Sequence, residues 1–224
     1  MEHIIKASGI QKGFPVAGGD TFWALKGISL DIPRNQLTIL KGRSGSGKTT
    51  LMNILSALDS PTEGDVFFLE ENISRLPENR RDRLRRTQMG FVFQSVALIP
   101  MMTAYENVEF ALRLSKFPGN RRQRTEECLK MVGLGSRMHH MPQELSGGEQ
   151  QRVAIARAIA HKPKIVFADE PTAELDTNTG LQVLKIFKDL TAMEGVTIVM
   201  TTHDTGLMEL GDQVYQLEDG ELIE

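Results

Sequence analysis

Four short apolar stretches, Leu37-Thr38-Ile39-Leu40, Gly90-Phe91-Val92-Phe93, Ile165-Val166-Phe167-Ala168 and Val196-Thr197-Ile198-Val199-Met200, stand out from a largely polar chain. Each is short for a helix and bounded by polar residues, the pattern of a strand covered on both faces of a parallel sheet. The start of the chain reads differently. Residues 4–14 and 23–32 are strand-like and flank the turn-rich Pro15-Val16-Ala17-Gly18-Gly19-Asp20, so an antiparallel hairpin is expected, with a short strand over 65–69 after it. Two further strands, 213–217 and 222–223, close the chain around Glu218-Asp219-Gly220-Glu221.

Helical spacing appears elsewhere. Thr50-Leu51-Met52-Asn53-Ile54-Leu55 repeats its apolar residues at helical intervals. Thr103 and Glu106 form a capping box that opens a helix to residue 114, with Ala104, Val108, Ala111 and Leu112 on one face. A second helix covers 120–132, apolar through Cys128, Leu129 and Val132. Ser146 and Glu149 make another capping box ahead of Val153-Ala154-Ile155-Ala156, and a last helix runs to about Met193 with Val183, Phe187 and Leu190 inward. The sequence therefore predicts an α/β protein with a mostly parallel central sheet, an antiparallel β part and a helical insert.

Composition narrows the class. The 224 residues, 40% hydrophobic, suit one domain with a buried core. No apolar run approaches the roughly 18–20 residues needed to cross a bilayer, and the first residues do not read as a signal peptide, so a soluble cytoplasmic protein is expected. Cys128 is the single cysteine, which excludes an internal disulfide and a thiolate metal cluster. A net charge of −3 gives no pull toward nucleic acid. The densest basic cluster, Arg80-Arg81-Asp82-Arg83-Leu84-Arg85-Arg86, carries no interleaved aromatics and reads best as a solvated helix face, with contact to nucleic acid or anionic lipid as the other readings. His139 and His140 are adjacent and lack a third ligand, so they read as loop residues.

The chemistry begins at Gly42-Arg43-Ser44-Gly45-Ser46-Gly47-Lys48-Thr49, which fits G-x-x-x-x-G-K-[ST] between a strand and a helix. Gly42, Gly45 and Gly47 allow the backbone amides of this loop, with Ser44, Ser46 and Thr50 beside them, to close on a phosphate at a helix N-terminus. Lys48 supplies charge for the β- and γ-phosphates, and the Thr49 hydroxyl suits Mg²⁺. A nucleoside triphosphate site follows. Polar residues at the ends of the other apolar strands belong to the same rim: Gln94 for a metal, a water or the γ-phosphate, Asp169 for Mg²⁺, Glu170 to deprotonate an attacking water, and His203 for the γ-phosphate. Phe14 could stack on a base, with Phe22 and Trp23 as competitors. Leu145-Ser146-Gly147-Gly148-Glu149 is a second anion-ready helix start, so one chain carries two such ends.

Taken together and in this order, the loop at Gly42 to Thr49, Gln94, Leu145 to Glu149, the strand ending in Asp169-Glu170 and His203 resemble the nucleotide-binding subunit of an ATP-binding cassette (ABC) transporter. Gly90 to Gln94, Leu98-Ile99-Pro100, Thr103 to Val108 and Ala168 to Thr172 resemble its lipoprotein-release and macrolide-export branch (LolD/MacB type). The resemblance implies a P-loop NTPase of the ABC ATPase fold, residues 1–224 forming one domain: 1–94 and 158–224 as catalytic core with an antiparallel β subdomain, and 95–157 as a helical subdomain. It implies Mg²⁺-dependent ATP hydrolysis with Glu170, His203 and Lys48 catalytic, ATP on Phe14 and the loop, and Mg²⁺ on Thr49, Gln94 and Asp169. Ser146, Gly147, Gly148 and Glu149 would meet the ATP of a second copy, head to tail, with Asp176 at the same junction. The implied partners are that second copy, an integral-membrane permease and, in some members, an extracytoplasmic adaptor, with no nucleic acid. The implied location is the inner face of the cell membrane, and the implied work is export or release of a lipoprotein, peptide or drug-like substrate. Control of a membrane-bound cell-division or envelope protein without transport is the alternative. One departure stands out: Glu174 precedes Leu175-Asp176, where the family usually has a small residue.

Overall fold

A computed structural model describes residues 2–204, 206 and 210–223. The expected hairpin is formed by β1 (His3–Pro15) and β2 (Thr21–Pro33). These strands join β4 (Glu63–Phe68) and β5 (Glu71–Asn72) in an antiparallel sheet of order β2-β1-β4-β5. The second sheet has six strands: β3 (Leu37–Lys41), β6 (Met89–Val92), β7 (Ile165–Ala168), β8 (Thr197–Thr202), β9 (Gln213–Glu218) and β10 (Glu221–Ile223), in the order β10-β9-β3-β8-β7-β6. All its pairings are parallel except β9 with β10.

The apolar runs are near-continuous because both faces of this sheet are covered. Side chains alternate along a strand. Ile39, Met200, Val166 and Ala168 enter one core with the helices α3 (Ala104–Leu114), α4 (Arg121–Met131), α5 (Gly147–Ile159) and α6 (Thr177–Glu194). Leu40, Val199, Ile165 and Phe167 enter the other, with α1 (Lys48–Leu55) and the antiparallel sheet. Register puts Lys41 beside Thr202, Met200 beside Ala168 and Ala168 beside Val92, so four strands end along one rim. Two boundaries differ from the sequence reading. Phe93 lies beyond β6 and is exposed, whereas Thr201 and Thr202 are buried inside β8.

The basic cluster lies on α2 (Glu78–Gln88), and the reading of a solvated face fails for two of its members. Arg81 is buried, donating from Nε and Nη2 to the Ala57 carbonyl at 3.1 and 2.8 Å and from Nη1 to Ser60 Oγ at 2.8 Å. Arg85 Nη1 donates to the same carbonyl at 2.6 Å. Ala57 follows the last turn of α1, where backbone carbonyls lack partners inside the helix and attract cations. Two guanidiniums thus hold α2 to the end of α1. Arg81→Met leaves Arg85 on Ala57, so the loss expected is about 1 kcal/mol, whereas replacing both arginines should cost about 2–3 kcal/mol. Thermal unfolding should read these as Tm decreases of roughly 2–4 °C per kcal/mol, and equal midpoints for all three proteins would contradict the anchor.

Candidate functional site

The loop between β3 and α1 is shaped by close approach. A Cβ on Gly42 would lie 2.3 Å from the Leu217 carbonyl oxygen, and one on Gly47 2.8 Å from that of Ala24, so the loop is pressed between β9 and β2. Gly47 also sits at φ +101°, a conformation that opens α1 and favours glycine. The first α1 amide to find a partner in its own turn is Leu51, to the Gly47 carbonyl at 2.8 Å; the amides before it are the usual unbonded donors of a helix start. Ser46 Oγ is buried and has no partner among the described residues. A cavity of about 460 Å³ opens here, lined by residues 41–46, His203 and residues 216–219. Phosphate oxygens suit these donors.

Lys48 is 5% exposed, and Nζ donates to the Gly42 and Arg43 carbonyls at 2.8 and 3.0 Å. Glu170 Oε1 is 3.6 Å from the same ammonium. The other Glu170 oxygen, Oε2, lies 3.2 Å from His203 Nδ1, within hydrogen-bonding distance. Asp169 Oδ1 accepts from Thr49 Oγ1 at 3.3 Å and from Thr201 Oγ1 at 2.6 Å. Five residues expected from the sequence, Lys48, Thr49, Asp169, Glu170 and His203, therefore meet in one network. The hydroxyl of Thr49 and the carboxylate of Asp169 are hard oxygen donors, the kind Mg²⁺ takes, and fit that ion.

Other expected residues lie apart from this network. Gln94 is exposed just past β6, where the Val92 carbonyl accepts the Asp169 amide at 2.9 Å. Phe14 is 40% exposed, pairs across the hairpin with Phe22 and lies under the Lys12 ammonium, 5.3 Å from the ring centre. Ala24, two residues along from Phe22, touches the start of α1, so the hairpin stands over the loop. Ser44, Gly45 and Thr50 lie in the loop and first turn. Thr201 belongs to none of the sequence motifs, although a hydroxyl ending an apolar strand is a visible signal.

Ser146, Gly147, Gly148 and Glu149 form the start of α5, with the expected capping box: Ser146 Oγ accepts the Glu149 amide at 3.3 Å, and Glu149 Oε2 accepts the Ser146 amide and hydroxyl at 2.9 Å each. α5 packs on α3, α4 and β6, while α1 packs on β1, β2 and β8. The two anion-ready helix ends thus belong to different parts of the chain. Asp176 caps α6, accepting the Asn178 and Thr179 amides at 3.1 and 3.2 Å and the Thr179 hydroxyl. Thr179 meets α5 as well, because a Cβ on Gly148 would fall 2.5 Å from its Cγ2. Hydrogen bonds from the Thr179 hydroxyl hold the Asp176 carboxyl below its ordinary pKa, and those from the Ser146 amide do the same for Glu149. Both caps are intact above the ordinary carboxylate range and open as pH falls through the lowered folded values.

Comparison with known proteins bears on this geometry. Residues 25–173 match the family model described as ABC transporter. An uncharacterized ABC transporter ATP-binding protein of Methanocaldococcus jannaschii is 47% identical over 202 residues, covering 90% of each chain. The macrolide export ATP-binding/permease protein MacB of Rhodopirellula baltica is 42% identical over 224 residues, 99% of this chain and 33% of that protein. Among solved structures, the ATP-binding cassette MJ0796 in a dimeric post-hydrolysis state with ADP and Pi superposes with a TM-score of 0.89 at 40% identity, over 98% of this chain and 97% of that one.

The contact between α5 and α6 is testable by itself. Gly148→Ala should collide with Thr179 Cγ2 and cost about 1–3 kcal/mol, less whatever the alanine adds to helix propensity. Thr179→Ser deletes the colliding methyl but keeps the hydroxyl on Asp176. Denaturant titration should therefore find Thr179→Ser restoring the stability of Gly148→Ala, and additive losses would exclude the collision.

Proposed function

The chain belongs to the ABC transporter family as an ATP-hydrolysing, nucleotide-binding subunit, and from that premise we propose how its residues bind ATP and drive a membrane partner. The observation that carries the proposal is the network in which Glu170 faces both Lys48 and His203 while Asp169 faces Thr49. Phe14 stacks on the adenine. Lys48 and the amides of residues 44–50, including Gly45, Ser46, Gly47 and Thr50, hold the phosphates, drawn in by the α1 dipole. Thr49, Asp169 and Gln94 would hold Mg²⁺, which would supply positive charge for the phosphate chain. Glu170 takes the proton of a water whose oxygen attacks the γ-phosphorus as the bond to ADP breaks, and His203, hydrogen-bonded to Glu170, also faces the γ-phosphate.

Because Ser146, Gly147, Gly148 and Glu149 lie on the α5 side, away from the chain's own phosphate loop, they meet the ATP of a second copy head to tail. Asp176 and the Thr179 contact stand at that junction. Both sites are complete only in the dimer.

The permease docks beside Gln94. A groove of about 600 Å³ there has an apolar floor that includes Phe91, Phe93, Ala111 and Leu114, with Arg85, Arg86 and Arg157 among its polar residues. Arg157 comes from α5 and donates to the Ala97 and Val96 carbonyls at 2.6 and 3.2 Å, so the segment after Gln94 is tied to the same helix that carries Ser146. No helix among the described residues is long and apolar enough to cross a membrane; the proposed location is the inner face, beside the permease. The proposed work is export or release of a lipoprotein, peptide or drug-like substrate through a separate permease, with an extracytoplasmic adaptor.

Glu170→Gln should lower ATP turnover by roughly 10²- to 10⁴-fold while ATP binding persists. The substituted protein should elute as a dimer with Mg-ATP on size exclusion and capture a membrane protein from detergent extract. Turnover at the unsubstituted rate would remove Glu170 from its role, and capture of only soluble partners would remove the transport reading.

A further inference from the structure

We propose that Thr201 is a positioning residue for ATP hydrolysis, one buried hydroxyl that fixes both the Asp169 carboxylate and the backbone of Glu170. The proposal rests on the roles given above to those two acids. Thr201 lies in β8, paired with Leu40 of β3 and fully buried. Two residues earlier on the same face, Val199 packs in the apolar core beneath α1. An aliphatic side chain would suit such a position, and a hydroxyl there must find partners.

It finds two, in opposite senses. Thr201 Oγ1 donates its only hydrogen to Asp169 Oδ1 at 2.6 Å and accepts the Glu170 amide at 2.8 Å. A hydroxyl can do both at once, and each bond polarises the other. The amide bond matters because Glu170 has φ +43°, in the left-handed region that residues other than glycine seldom adopt. Thr201 holds this residue through its N–H, and the Ala173 amide holds its carbonyl at 3.1 Å. Released from that conformation, the Glu170 side chain would turn away from Lys48 and His203. The bond to Asp169 keeps Oδ1 directed at Thr49, another of the proposed metal ligands. A single group thus sets the angle of the base and that of the metal-binding carboxylate.

Valine fills nearly the same volume as threonine, so Thr201→Val removes the hydroxyl with little change in packing. The expected result is a kcat lowered by roughly 10- to 100-fold with KM for ATP little changed. Mn²⁺ binding in the presence of a non-hydrolysable ATP analogue, followed by electron paramagnetic resonance, should weaken by roughly tenfold or more. Thr201→Ser should recover both. Unchanged kcat and Mn²⁺ affinity in Thr201→Val would overturn the proposal, as would Thr201→Ser failing as badly as valine. If Thr201→Val does not fold, Thr201→Ala against Thr201→Ser makes the same comparison, and equal behaviour of the two overturns it. Glu170→Gln run alongside separates the premises: if it alone turns over normally, the base assignment has failed, and the Mn²⁺ affinities still decide whether Thr201 governs Asp169.

Discussion

A buried ammonium group has to be surrounded by oxygen, and the way Lys48 meets that requirement shapes the rim of the sheet. Two of its partners are carbonyls of its own loop, which the chain can present only by folding back tightly over the ammonium. That fold brings Gly42 against Leu217 and Gly47 against Ala24, so β9 and the antiparallel hairpin become the walls of the loop. The third partner, Glu170, arrives from β7 and brings His203 and Thr201 with it. One desolvated charge gathers five separate segments of chain.

The parallel sheet makes this gathering possible. Its strands are buried on both faces, so polar side chains are admitted chiefly where strands end, and the common direction of β3, β6, β7 and β8 puts those ends together. Residues distant in sequence become neighbours without any of them needing a long loop.

Away from the rim, buried and half-buried guanidiniums tie elements together through carbonyls that helices and loops leave unpaired. Arg81 joins α2 to the end of α1, and Arg157 joins α5 to the segment after Gln94. Arg124 joins α4 to the end of α5, donating to the Ala160 and Ile159 carbonyls, and to α6 through Glu194 at 2.9 Å. A planar group with five donors can bridge two elements at once, which an ammonium does less well. Burial lowers the Arg157 pKa, yet the group stays a cation at any ordinary pH. Cys128, in the same helical core, is pushed up to about 12 by burial and is inert.

The sequence by itself determined most of the elements and named most residues of the candidate site. Apolar runs fix buried strands, capping boxes at Thr103 and Ser146 fix helix starts, and a glycine-spaced loop before a lysine fixes a phosphate site, because each is a local consequence of backbone geometry and solvation. Tertiary structure decided the rest. Whether an arginine in a basic run faces water or a carbonyl, as at Arg81, depends on what packs opposite. That Thr201 bridges Asp169 and Glu170, and that Thr179 abuts Gly148, depends on strand register and on how two helices meet. Such contacts join residues far apart in the chain, so no local pattern encodes them, and only the assembled sheet and its two cores bring them within bonding distance.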